Sequence, residues 1–362
     1  MTATANATET ATQPQPLTIT RLVHDRVQLS GLALAPDGKA FAYVRQAYNK
    51  ETAKNETQVW LADADGTNRR QVTFVGGGNG NPTWSPDGKT LAFTTHREGD
   101  AKPFAIALLP MNGGEARLVK QHAMPILSLA WSPDGVKIAY TLPVDPENPD
   151  ETPRDPKAPA KMRLVRQNDY KLDGIGYRGE TRNHLCVLDV ATGESKQLTS
   201  GLHDYMNPRW SPDGRTIAAS EWNGNPLMVT LALIDAESGD VASVGEPGFL
   251  VGPPAWSPDG KTVIFDTGLY TTVAVDVETK AVREVSEDLG FTPAGIYNAN
   301  DDPIWLGNDK VLMNGQIGVG FGLFELDLTN GEVEQRVVWQ AVNGGLQPTP
   351  DGKSAFHIVS DL

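Results

Sequence analysis

Apolar residues along this chain come in short alternating runs, and each run follows the same polar cluster. Trp84-Ser-Pro-Asp-Gly88 recurs from Trp131 to Gly135, from Trp210 to Gly214 and from Trp256 to Gly260. Weaker copies run from Ala35 to Gly38 and from Thr349 to Gly352, and a degenerate one starts at Trp305, where Leu-Gly-Asn-Asp replaces Ser-Pro-Asp-Gly. The stretches that follow (KAFAYV, KTLAF, VKIAY, RTIAA, KTVIF, KVLM, KSAFHIV) read as strands with one face toward a core. In the cluster itself, proline fixes φ at the second turn position, aspartate follows, and glycine accepts the left-handed conformation. This predicts a three-residue hairpin loop with a bulge.

The glycine of each copy, or Asp309 in the degenerate one, stands at 38, 88, 135, 214, 260, 309 and 352. The steps are 50, 47, 79, 46, 49 and 43 residues, so a single interval carries an insertion, of about 30 residues. A second hairpin follows each of the first six motifs, turning at Asp65-Gly66, Asn112-Gly113-Gly114, Thr192-Gly193, Ser238-Gly239, Thr279-Lys280 and Asn330-Gly331. Four strands in ~45 residues make a propeller blade. The prediction is an all-β fold, a seven-bladed β-propeller of four-stranded antiparallel blades starting near residues 29, 81, 128, 207, 253, 302 and 345. Residues 1–17 read as a disordered polar tail, 18–362 as the propeller, and 141–180 as a Pro-rich extension in blade three. The last blade is incomplete, because the chain stops at Leu362 after two inner strands. Half a blade leaves an open edge, so the expectation is the front part of a longer protein.

Composition narrows the function. Glycine (36) and proline (26) supply the turns. A net charge of −14 leaves no basic stripe for phosphates, which excludes nucleic acid as the expected partner and disfavours anionic membranes. No window approaches 18 consecutive apolar residues, and the first 20 residues have neither a basic nor an apolar signal region. The single cysteine, Cys186 in HLCVLDV, reads as a buried structural thiol and points to a reducing cytoplasm.

Few motifs suggest chemistry. Gly174, Gly176 and Gly179 spell G-x-G-x-x-G, but a strand and not a helix follows, so no dinucleotide is expected. Gly76–Gly80 and Gly318–Gly322 lack the Lys-Ser/Thr of a phosphate loop. Asp63-Ala-Asp65-Gly66 lacks the later acidic ligands of a calcium loop and reads as a turn. The histidines at 24, 96, 122, 184, 203 and 357 form no metal motif. No G-x-S-x-G elbow occurs; the nearest string, Ala242-Ser-Val-Gly245, lacks the first glycine. No catalytic residue, cofactor or metal is expected.

The W-S-P-D-G-K-x-[IL]-A-F repeats are similar to those of TolB-type propellers and of the N-terminal propellers of prolyl oligopeptidase family serine peptidases. The opening LTITRLVHDRVQLSGLALAPDGKAFAYV resembles the acylaminoacyl-peptidase-like subgroup, where a short helix precedes the first blade. Tyr170-Lys-Leu-Asp-Gly-Ile-Gly-Tyr177, followed by His184-Leu, resembles that subgroup's blade-three extension. The resemblance implies a non-catalytic propeller that gates the access of short peptides to an α/β-hydrolase domain bearing a Ser-Asp-His triad, a domain absent from these 362 residues. The alternative is a stand-alone TolB-like scaffold that binds proteins. Residues 143–160 are expected to be exposed, because six prolines deny the backbone sheet partners. Arg163–Tyr177 is expected to form a protruding arm whose Leu164, Tyr170, Ile175 and Tyr177 meet the hydrolase domain or a second subunit.

Overall fold

In the W-S-P-D-G turn, Gly88 sits at φ +68° and its N–H bonds back to the Ser85 carbonyl at 2.8 Å, as the motif predicts. The loop is one residue longer than expected. Ser85 N–H pairs with the Thr90 carbonyl, and the Thr90 N–H goes to the Ser85 hydroxyl, so Pro86, Asp87, Gly88 and Lys89 all lie in the loop. The hydroxyl stands in for a backbone acceptor and also donates to Asp87, a bond repeated at Ser132–Asp134, Ser211–Asp213 and Ser257–Asp259.

This computed structural model describes Thr18, residues 24–152, Val165, 168–172, 176–225, 227–249, 252–267, 271–286, 289–293, 302–318, 320–339, 342–349 and 355–360. Among them every extended regular element is a strand, and of the short helix expected before the first blade only His24 is described, in helical conformation. The first meander is β1 (Gln28–Leu34), β2 (Ala40–Asn49), β3 (Lys54–Asp63) and β4 (Arg70–Gln71). The second is β5 (Gly78–Trp84), β6 (Thr90–His96), β7 (Phe104–Pro110) and β8 (Arg117–His122), joined to the first by one parallel bridge, Thr57 to Gly78. The third sheet contains β9 (Ser128–Trp131) and β10 (Lys137–Val144). A small hairpin, β11 (Lys171–Leu172) with β12 (Gly176–Tyr177), interrupts it before β13 (Arg182–Asp189) and β14 (Ser195–Gln197) complete it.

The fourth sheet is β15 (Asp204–Trp210), β16 (Thr216–Trp222), β17 (Met228–Asp235) and β18 (Val241–Phe249). The fifth is β19 (Ala255–Trp256), β20 (Thr262–Asp266), β21 (Thr272–Asp276) and β22 (Val282–Ser286). In the sixth, β23 (Thr292–Pro293) and β24 (Ile304–Trp305) both pair with β25 (Lys310–Ile317), followed by β26 (Gly320–Asp327) and β27 (Val333–Trp339). A last hairpin, β28 (Val342–Pro348) and β29 (Ala355–Ser360), ends the chain. Apart from the bridge to the second sheet, every pairing among the described residues is antiparallel.

Sheets pack face to face in chain order, and each core joins two neighbours. Ala42, Val59 and Leu61 meet Leu91, Phe93 and Ala107 between the first two sheets. The same pairing recurs between the second and third sheets, the third and fourth, the fourth and fifth, and the fifth and sixth. Phe356 of the last hairpin packs on Leu32, Tyr43 and Ala62 of the first sheet, which brings the end of the described chain back to its beginning. Each fully buried Leu, Ile or Val contributes ~1.5–3 kcal/mol to this packing.

Two further ladders run from sheet to sheet. The indole N–H groups of Trp84, Trp131, Trp210 and Trp256 donate to the carbonyls of Ala33, Thr83, Ala130 and Arg209, each one residue before the Trp position of the preceding sheet. The turn glycines 88, 135, 214 and 260 lie against the rings of Pro36, Pro86, Pro133 and Pro212 in the preceding turn. First strands carry a bulge that the sequence reading missed: β1, β5, β15 and β28 shift register at the residues two and three before the end of the strand. Asn81 (φ +49°) and Asn207 (φ +53°) occupy it with a proline following, and asparagine tolerates the left-handed region better than other side chains.

One expectation fails. Pro143 lies inside β10, paired with Asn183, so the proline-rich stretch does not begin outside the sheet. Its missing N–H costs nothing where that position needs no donor.

A candidate docking face at one end of the sheets

Antiparallel registers sort the connections into two ends. One end carries the W-S-P-D-G turns together with the second turns, which begin at Asp63, Asp189, Asp235, Asp276 and Asp327. The carboxylates there are tied to their own loops: Asp235 accepts the N–H groups of Glu237 and Ser238, and Asp276 that of Thr279. Hydrogen bonds from the Ser85, Ser132, Ser211 and Ser257 hydroxyls hold Asp87, Asp134, Asp213 and Asp259 below the usual carboxylate range. A shallow groove between adjacent turns is lined by Pro86, Asp87, Trp131 and Pro133. The end is acidic and locally satisfied.

The opposite end carries more of the exposed large apolar side chains, set among exposed charges such as Lys54 and Glu98. Phe74 keeps 76% of its surface exposed and Val75 60%, in the connection from the first sheet to the second. Met124 and Leu127 are exposed in the next connection, Leu202 in the one after, and Leu227 in the β16–β17 loop. Val27 and Leu29 join them at the start of β1. At the turn end the exposed large apolar residues, among the described residues, are Val136, Leu306, and Val241 and Val282 at the starts of β18 and β22. These exposed apolar residues make this end the candidate interaction face.

The arm projects from this apolar end. Tyr170 and Tyr177, two of the four predicted contact residues, are exposed and face each other at 6.0 Å, with the Lys171 ammonium 5.4 Å from the Tyr177 ring. Leu164 and Ile175 lie outside the described residues. Pairing of Lys171 with Tyr177 and of Leu172 with Gly176 makes the hairpin. Gly176 (φ +80°) and Gly179 (φ +58°) serve its turns, and β13 follows them, so the G-x-G-x-x-G string has no helix to hold a pyrophosphate.

Sequence reasoning missed what holds the arm. Asp169, Arg178, Arg182 and Asp204 form a cluster whose side chains are at most 6% exposed. Arg178 reaches Asp169 at 3.3 Å and hydrogen-bonds Asp204, and Arg182 reaches Asp169 at 3.4 Å. The Arg182 guanidinium also donates to the carbonyls of Thr181 (2.7 Å) and Leu202 (3.0 Å). Asp204 accepts the Asn183 N–H at 2.8 Å. Charges this deep persist when paired and hydrogen-bonded on several sides. The residues are scattered over 36 positions and carry no motif.

The start of the extension is pinned as well. Glu151 Oε1 meets His122 Nδ1 at 2.6 Å, its Oε2 accepts the Ala123 N–H at 2.8 Å, and Lys102 lies 3.4 Å away. The other ring nitrogen of His122 is 3.0 Å from the Tyr140 hydroxyl. Burial holds the His122 pKa below its ordinary value in spite of Glu151. Burial works to raise that of Glu151, but His122, the Ala123 N–H and Lys102 outweigh it. In the fourth sheet Glu221 accepts from His203 (2.7 Å), Tyr205 (3.0 Å) and Ser243. Burial pushes the Cys186 thiol up to about 12, the environment of an inert thiol. Among the described residues no three His, Cys, Asp or Glu side chains gather as a metal ligand set.

No family profile matches the chain. Over 190 residues it is 33% identical to an uncharacterized peptidase, YuxL, of Bacillus subtilis, covering 51% of this chain and 28% of that protein. It is 24% identical over 273 residues to dipeptidyl-peptidase 5 of Porphyromonas endodontalis, covering 58% of this chain and 39% of the relative. A shorter match, 24% over 128 residues, is to the Tol-Pal system protein TolB of Alcanivorax borkumensis. Among solved structures, acylaminoacyl peptidase of Pyrococcus horikoshii superposes with a TM-score of 0.65 at 16% identity, over 90% of this chain and 48% of that one. The β-propeller domain of the Trilobed protease of Pyrococcus furiosus gives 0.55 at 14%, over 88% and 86%. The chain is thus a propeller domain related to those of peptidases and to TolB, and it spans about half the length of the acylaminoacyl peptidase.

Proposed function

We propose that this chain is the propeller of an acylaminoacyl-peptidase-like serine peptidase, a seven-bladed ring that seats a hydrolase domain on its apolar end and admits only short peptides to it. The observation that carries this is the sidedness of the exposed apolar residues, from Phe74 and Met124 to Tyr170 and Tyr177, against the acidic, self-satisfied turn end. This reading counts the last hairpin as the seventh blade, and its support is the packing of Phe356 on the first sheet. Access is the chemical contribution. A ring over a triad admits an unfolded peptide and excludes a folded protein, so specificity by size arises without a catalytic group in the ring.

The chain itself makes and breaks no bond in this reading, needs no cofactor or metal, and works in the cytoplasm. Its partners are peptides, reached through the hydrolase domain, and a second copy meeting the arm. The likeness to TolB favours a second reading, a scaffold whose apolar end binds another protein.

Sequencing the reading frame past the Leu362 codon separates the two. The peptidase reading expects outer strands for the last blade and then G-x-S-x-G, and expects the expressed whole to cleave short acylated peptides but not folded proteins. A frame without a nucleophile elbow overturns it.

A further inference from the structure

The first strands of the fourth and sixth sheets are tied to each other past the fifth. Arg209 of β15 grips Asp302, just before β24, with Nε to Oδ2 at 2.5 Å and Nη2 to Oδ1 at 2.6 Å. The fork is bidentate, the strongest form of this pair. The first strand of the intervening sheet lies between them in chain order, since the Trp256 indole donates to the Arg209 carbonyl at 2.9 Å. One side chain can reach from the fourth sheet to the sixth only if the three first strands curve around a common axis, so the pair lies on the axial side of the fifth sheet. Gly252, Pro253, Pro254 and Ala255 there are all buried. By contrast Gln28, Leu29 and Ser30, at the start of β1, are exposed. The pair itself stays partly open, with 24% of the Arg209 and 35% of the Asp302 side chain exposed. Opposite charges neutralise each other, so the bar adds no net charge to the axis.

We propose that Arg209 and Asp302 form a crossbar over the axial channel at the fifth blade, so that what threads the ring there is set by this ion pair. The inference rests on the closed-ring reading above. It deepens that reading by naming the side chains that limit passage.

The test uses the present chain with Pro254→Cys as a reporter and Cys186, buried and inert, left in place. N-ethylmaleimide labelling of the reporter is timed in the parent and in D302A and D302N, with circular dichroism confirming that each is folded. The crossbar predicts slow labelling in the parent and a rise of about tenfold in D302A, with D302N between them because it keeps one hydrogen bond. Equally slow labelling in the parent and in both variants overturns the crossbar and leaves the ring standing. Rapid labelling already in the parent overturns the closed ring and the crossbar with it.

Discussion

The indole N–H of Trp131 donates to the carbonyl of Thr83, 3.2 Å away in the preceding sheet, and the same bond is made by Trp84, Trp210 and Trp256. Tryptophan therefore recurs before the turn for two reasons: its ring fills the space between sheets and its one donor ties them. Trp305 breaks the series. Its Nε1 is buried without a partner among the described residues, in the one copy where Leu-Gly-Asn-Asp replaces Ser-Pro-Asp-Gly.

Trp131→Phe keeps an aromatic ring and removes the donor to the Thr83 carbonyl. Trp305→Phe loses the same volume but no bond. The first is expected to cost about 1 kcal/mol more than the second in urea unfolding. Equal costs would show that the ladder contributes nothing beyond packing.

Arg182→Ala leaves Asp169 and Asp204 partly unpaired in a buried site. A loss of ~3–5 kcal/mol is expected in denaturant unfolding, with release of the arm to proteolysis. Arg336→Ala, which removes an exposed partner of Glu325, is the control and should cost far less.

Two of the contributions to stability against pH oppose each other. Burial holds His184 down to about 4, so the native state binds fewer protons than the unfolded chain between there and its ordinary 6.5. That contribution is present above pH 6.5 and is lost as pH falls toward 4, an effect of about 3 kcal/mol. Burial pushes Asp266 up to about 7, against the Thr272 hydroxyl, so the native state binds more protons than the unfolded chain above 3.8. This second contribution is present below pH 3.8 and is lost as pH rises to about 7. Relative to the parent, D266N should therefore gain stability as pH rises from 4 to 6.5, and H184Q should lose it over the same range. Parallel profiles for the two variants would contradict the assignment.

Phe356 lies 6.4 Å, ring to ring, from Phe41 of the first sheet. Phe356→Ala is expected to cost about 2 kcal/mol, part of the ~3–5 that a fully buried phenyl costs. An unchanged midpoint would show that the last hairpin does not hold the first sheet.

The repeat was legible because it is local: proline, glycine and the alternating residues after them dictate the turn and strand within ten positions. The extra loop residue was not, because the Ser85 hydroxyl competes with the backbone for Thr90, a choice no propensity records. The exposure of Tyr170 and Tyr177 on the arm was legible, because a blade needs no further apolar residues there. Its buried charges were not, since Asp169 and Asp204 meet Arg178 and Arg182 only after the third and fourth sheets pack. The docking face shows the same limit. Phe74 and Met124 are unremarkable in sequence, and only the strand directions place them at one end.

Hydroxyl-radical footprinting, applied to this chain and to the product of its whole reading frame, measures the docking face directly. If a hydrolase domain sits on the apolar end, Phe74, Met124, Tyr170 and Tyr177 lose most of their oxidation in the longer protein while Val136 and Leu306 at the turn end keep theirs. Unchanged oxidation at Phe74 and Met124, or protection of Val136 and Leu306 instead, would contradict the peptidase propeller proposed for this chain.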